Sequence, residues 1–126
     1  MLGFFKRTPK LEATFRPTRA VARELAREVE VAGELVLRNV GRDTELADLE
    51  LVLVAGGTRR IDLELPAAWQ GRMKLAAGGE LRQAVAWKLK LAAPMRAPAA
   101  EIQVITREGG KHHPLAMTPA FPLGNE

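Results

Sequence analysis

Beyond residue 28 the chain alternates apolar and polar positions with a period of two, the mark of strands that bury one face. Val29 and Val31 alternate with Glu28 and Glu30, and the pattern runs through Ala32-Gly33 into Leu35 and Leu37. Asn39-Val40-Gly41-Arg42-Asp43 breaks it with turn-forming residues. Leu49, Leu51 and Leu53 share a face, while Glu50 stands on the other beside Val52 and Val54, so this strand is expected to be central and covered on both sides. Ile61, Leu63 and Leu65 alternate with Asp62 and Glu64 until Pro66 stops the ladder. Residues 66–80 hold Pro66, Gly71, Gly78 and Gly79 around Trp69 and Met73, a long crossing between strands rather than a helix.

The cleanest strand follows. Val85, Trp87, Leu89 and Leu91 point one way, and Ala86, Lys88 and Lys90 the other. Pro94 and Pro98 bracket a loop, then Ile102, Val104 and Thr106 alternate with Gln103 and Ile105. Gly109-Gly110 turns the chain into residues 112–117, a last edge strand. One segment reads differently. Thr18 to Glu28 places Val21, Leu25 and Val29 at helical spacing behind Pro17, so one short helix near residues 18–28 competes with a loop. Six to seven short strands with little helix predict an all-β sandwich, and a closed barrel is its structural rival. Residues 1–118 are expected to form one domain and residues 119–126 a loose tail.

Composition narrows the function more than the fold. The 126 residues contain no cysteine and no serine, which excludes a disulfide framework, a zinc-thiolate site and a serine or cysteine nucleophile. No Gly-x-Gly-x-x-Gly or Walker loop is present, and Gly56-Gly57 and Gly78-Gly79 read as turns. His112 and His113 are adjacent, so on a strand they face opposite sides and share one metal poorly. Glu28 and Glu30 stand side by side, as acid–base pairs do, but the solvated face of a strand matched by Arg or Lys across the ladder is the expected reading. A non-enzyme without cofactor or metal is the expectation.

The net charge of +4 is uneven: residues 1–27 carry +5, residues 28–66 carry −5 and residues 67–126 carry +4. Lys6, Arg7, Lys10, Arg16, Arg19 and Arg23 are therefore candidates for weak contact with nucleic acid or an anionic membrane. Absent tyrosine and 5% aromatics argue against base stacking. The start, Met1-Leu2-Gly3-Phe4-Phe5-Lys6-Arg7, lacks the apolar stretch of a secretory signal, which predicts a cytoplasmic protein. Trp69, in a loop-like segment, lids the sandwich or else stands exposed as a protein-contact anchor with Arg72 and Met73. Trp87 reads as a core anchor.

Phe4-Phe5-Lys6, a strand over residues 11–15 and Val31-Ala32-Gly33-Glu34-Leu35-Val36-Leu37 resemble the opening of arrestin-like domains. Ile61-Asp62-Leu63-Glu64-Leu65-Pro66, a long crossing and Val85-Ala86-Trp87-Lys88-Leu89-Lys90-Leu91 are similar to their later strand pair. The resemblance covers residues 1–106 and points to the bacterial sporulation-control proteins of that fold. It implies an immunoglobulin-like or arrestin-like sandwich of six to seven antiparallel strands, acting as a cytoplasmic scaffold or regulator. Those proteins carry two sandwich domains, and this chain has room for one. The sequence thus predicts a protein-binding module, with Trp69, Arg72, Met73, Lys88 and Lys90 as interaction candidates and homodimerisation through an edge strand as one form of it.

Overall fold

The computed structural model describes residues 9–125. The chain forms β1 (Leu11–Arg23), β2 (Glu28–Asn39), β3 (Thr44–Leu46), β4 (Leu49–Ala55), β5 (Arg59–Leu63), a 3-10 turn at Ala67–Trp69, β6 (Met73–Leu75), β7 (Glu80–Lys90), β8 (Ala99–Glu108), β9 (Lys111–Met117), β10 (Phe121–Pro122) and β11 (Gly124–Asn125). One sheet has the order β11-β1-β2-β7. The second has the order β10-β8-β4-β5, with β9 beside β10 on the same flank of β8, and β3 pairs with β6 in a small third sheet. The two large sheets face one another as an all-β sandwich.

The alternation read from sequence becomes the core. Val29, Val31, Leu35 and Leu37 of β2 are buried against Leu51 and Leu53 of β4 and Ile102 and Val104 of β8 in one apolar cluster. β4 is central, between β5 and β8, and its outer side chains Val52 and Val54 are buried with Ile105 in a second cluster. Arg60, opposite Val54, donates at 2.8 Å to the side chain of Gln103, opposite Val52. Long polar arms on this outer face cover apolar surface with their stems. The expectation of a strand buried on both faces holds.

The segment at residues 18–28 is not helical. β1 continues to Arg23, and a turn at residues 24–27 leads directly into β2. Ala20 and Ala22 lie opposite Val31 and Val29, so the long hairpin buries an apolar row that a short helix, marginal by itself, would leave uncovered. A register shift between Pro17 and Arg19 accommodates the proline, which lacks a ladder N–H. Gly33 faces Pro17 there. A Cβ on Gly33 would lie 2.3 Å from the Arg16 carbonyl oxygen, so the close approach of the two backbones requires glycine.

The expected loose tail from residue 119 is also corrected. Phe121 pairs with Ala100, Gly124 runs parallel to Val21, and the Leu123 N–H donates to the Pro98 carbonyl at 3.0 Å. Phe121 and Leu123 are buried, and the Phe121 ring lies 5.0 Å from that of Phe15. The alternation Phe121-Pro122-Leu123 covers three residues with a proline at its centre, too short to register as a strand. Burying two large side chains across both sheets nevertheless holds the segment in place.

Candidate interaction site

Trp69 does not stand exposed. It sits at the end of the 3-10 turn with 1% of its surface accessible, as part of the main core, so of its two expected roles only the lid survives. Pro66 starts that turn, and the Trp69 N–H donates to the Pro66 carbonyl at 2.9 Å, which curls the indole inward. Arg72 is exposed but turned to Glu45 at 2.8 Å, and Met73 packs against the core from β6. Trp69 is thereby withdrawn as a contact residue, and the expected patch of Trp69, Arg72 and Met73 does not assemble.

Lys88 and Lys90 stand on the outer face of β7, opposite Glu30 and Glu28 of β2. Lys90 lies 3.6 Å and Lys88 4.0 Å from Glu28, which Arg23 approaches at 3.9 Å. Three cations gather around one carboxylate. Glu30 is held by the Arg19 and Arg23 guanidinium groups, both at 3.1 Å, and their hydrogen bonds keep its carboxyl below the ordinary carboxylate range. The acids of β2 are thus matched by Arg and Lys across the ladder, as expected of a solvated strand face.

The same pairing bears on the basic segment. Arg19 and Arg23 converge on Glu30, Arg16 lies opposite Glu34, and Lys10 lines a separate depression of about 590 Å³ with Val40 and Arg42. Lys6 and Arg7 lie outside the described residues. His112 lies 3.1 Å from Arg107 and 3.5 Å from Glu50 on the exposed face of the second sheet. Among the described residues no three His, Cys, Asp or Glu side chains converge as a metal site would require.

Sequence reading named an edge strand without placing it; the structure has one at the free edge of the first sheet. β7 pairs with β2 in unbroken register from Glu80 to Lys90, and no strand among the described residues pairs on its other side. Two bonds just beyond its ends define its orientation. Asn39 N–H donates to the Gly79 carbonyl at 2.9 Å and Leu91 N–H to the Arg27 carbonyl at 2.7 Å. Odd-numbered residues therefore turn their backbone groups to β2. Since a strand alternates, the N–H and C=O groups of residues 82, 84, 86 and 88 face outward. The Ala84 carbonyl accepts a 3.1 Å bond from the neighbouring Gln83 side-chain amide, a local substitute for a ladder partner.

A shallow groove of about 260 Å³ runs along this edge, between residues 83–87 and residues 64–67. Its inner wall is closed by Trp87, whose indole N–H donates to the Glu64 carbonyl at 2.8 Å. Trp87 is the core anchor its alternation predicts. Ala84 and Ala86 are exposed on the outer side, so no bulky side chain obstructs the edge. Leu25, 98% exposed at the turn between β1 and β2, is a separate apolar point that its helical spacing concealed.

No family model matches the chain, and no curated protein matches it. Two solved structures share its fold. A putative ApaA protein from Bordetella pertussis aligns over 93% of this chain and 96% of its own, at 16% identity and a TM-score of 0.54. The structural-genomics target SoR45 aligns over 93% of this chain and 86% of its own, at 9% identity and a TM-score of 0.51. At these identities the likeness concerns the fold alone. No helix among the described residues is long and apolar enough to cross a membrane.

Proposed function

We propose that this chain is a non-enzymatic protein-interaction module, a cytoplasmic scaffold or regulator that takes an extended segment of a protein partner along β7. The observation that carries the reading is the row of outward backbone groups at residues 82, 84, 86 and 88, on an eleven-residue strand with one ladder neighbour. Main-chain hydrogen bonds supply affinity in strand addition, and pockets beside the edge supply selectivity. The groove floored by Trp87 and residues 64–67 lies where such a pocket is needed. The arrestin-like, immunoglobulin-like frame implied by the resemblance is compatible with this role, because that frame transfers no catalytic residues.

Ala84→Pro tests it. Proline at an outward position removes only a donor that β2 does not use, so the fold is retained while strand addition is blocked. Tagged wild-type protein should hold a defined protein from its native host through a moderate-salt wash, and Ala84→Pro should lose it. Equal retention by both forms would overturn the reading. So would recovery only of nucleic acid or lipid that washes off at moderate salt.

A further inference from the structure

We infer that the strand added to β7 is the β7 of a second copy of this chain, antiparallel about a two-fold axis through Ala84. The inference deepens the interaction-module reading and rests on the same edge. Exposed edges are ordinarily blunted by proline, bulges, shortness or cover. The other flanks of the sandwich show those devices. β9 contains Pro114 opposite a register shift, β5 has five residues, and β1 carries the Pro17 irregularity and is covered in part by β11. β7 has none of them: eleven residues, no proline and continuous register.

Charge selects the occupant and the register. Pairing must join outward residues to outward residues, so only registers that match even positions with even positions are open. Centring the axis on Ala84 sets Glu80 opposite Lys88 of the second copy, twice by symmetry, and Arg82 opposite Ala86. Centring it on Val85 sets Arg82 against Lys88, and centring it on Ala86 sets Arg82 against Lys90. Both oppose like charges, which is unfavourable for directly facing residues. Of the registers centred on residues 84–86 only the one at Ala84 joins opposite charges without opposing like ones, and it brings alanines together in the middle. Centring on Leu81 would also set Glu80 against Arg82 but would overlap the two strands over residues 80–82 alone.

The side chains are available for it. Lys88 is 69% exposed and only loosely held by Glu28 at 4.0 Å, a carboxylate that Lys90 approaches more closely. Arg82 is already engaged by Glu34 at 2.7 Å and meets only a methyl group in the paired sheet. The product would be one continuous eight-stranded sheet, built from two copies of the order β11-β1-β2-β7.

The test measures sedimentation equilibrium of the full chain, with urea unfolding confirming that each variant folds. Wild type should dimerise, and Lys88→Glu should weaken the dimer roughly tenfold, because two attractions become two repulsions. The swap Glu80→Lys with Lys88→Glu should restore it. Because the chain lacks cysteine, single-cysteine probes report the register. Ala84→Cys should be joined by a short bis-maleimide, since residues paired across the axis stand about 5.5 Å apart. Ala86→Cys should not, since its copies are displaced by about 13 Å along the strands. A monomer at high concentration overturns the inference. So does a dimer indifferent to Lys88→Glu, or one that crosslinks through Ala86→Cys instead. A monomeric protein that still captures another protein through β7 overturns this inference while leaving the interaction-module reading standing. Loss of both follows if Ala84→Pro changes neither assembly nor capture.

Discussion

Asn39 is the one buried amide side chain whose every hydrogen-bonding group is used, and replacing it should loosen the end of the sandwich. It is 0% exposed. Its Nδ2 donates to the Arg42 carbonyl at 2.7 Å and the Leu75 carbonyl at 3.0 Å, and its Oδ1 accepts from the Gly41 N–H at 2.9 Å. One side chain thus ties the end of β2 to the turn before β3 and to β6. Asn39→Ala removes three bonds, each worth about 1 kcal/mol net, so a loss of about 2–4 kcal/mol is expected, the bond to Leu75 being the most fully buried. With a urea slope of about 2 kcal/mol/M, the middle of the range for a small domain, the unfolding midpoint should fall by about 1–2 M. The buried Trp69 and Trp87 report the transition by fluorescence.

Asn39→Asp sharpens the test. An aspartate would face two carbonyl oxygens, so its folded pKa rises above the unfolded value of about 3.9. Its penalty is then absent below the unfolded pKa and grows as pH rises toward the folded one. Asn39→Asp should therefore lose ground to Asn39→Ala between pH about 4 and pH 7. The exposed neighbour Arg38→Ala serves as control and should shift stability by no more than about 0.5 kcal/mol. An Asn39→Ala midpoint equal to that of Arg38→Ala would refute the reasoning, as would an Asn39→Asp protein that gains relative stability with rising pH.

Trp69→Ala should cost about 3–5 kcal/mol by calorimetry or urea unfolding, as an emptied core aromatic site does; a shift typical of a surface residue would return Trp69 to the surface. Removing residues 119–126 takes the buried Phe121 and Leu123 out of the core and should cost about 3–6 kcal/mol, with faster amide exchange in β1 and β8; unchanged exchange there would show the segment to be dispensable. The Glu30 carboxyl, held low by Arg19 and Arg23, contributes stability above its unfolded pKa that is lost as pH falls through the folded one. Glu30→Gln should flatten the acid limb of the stability profile, and a carboxyl titration by NMR should find Glu30 below its neighbours; an ordinary value would remove this contribution.

The sandwich was legible because its cause is local. Alternation over β2, β4, β7 and β8 dictates which side chains face inward whatever the neighbouring strand turns out to be, and the double-sided run at Val52 and Val54 marked β4 as central. The charge pairing of Glu28 and Glu30 followed from the same alternation. The hairpin at residues 18–28 was not legible, because Val21, Leu25 and Val29 satisfy a helical spacing equally well, and only the row Val29 and Val31 across the ladder chooses the strand. Trp69 was ambiguous for a similar reason: a turn started by Pro66 can aim an indole inward or outward, and the core decides which.

The candidate site lies wholly on the tertiary side. Lys88 and Lys90 were singled out from their own strand, but nothing local says that β7 has one neighbour while β4 has two, since strand order comes from contacts far apart in sequence. The same holds for Phe121 and Leu123, whose place between the sheets depends on β1 and β8. The sequence alone determined which faces of β2, β4, β7 and β8 are apolar and which catalytic chemistries its residues exclude. The tertiary structure decided which edge stays open and which charges flank it, because a strand's backbone groups point to a partner or to solvent only once its neighbours are in place.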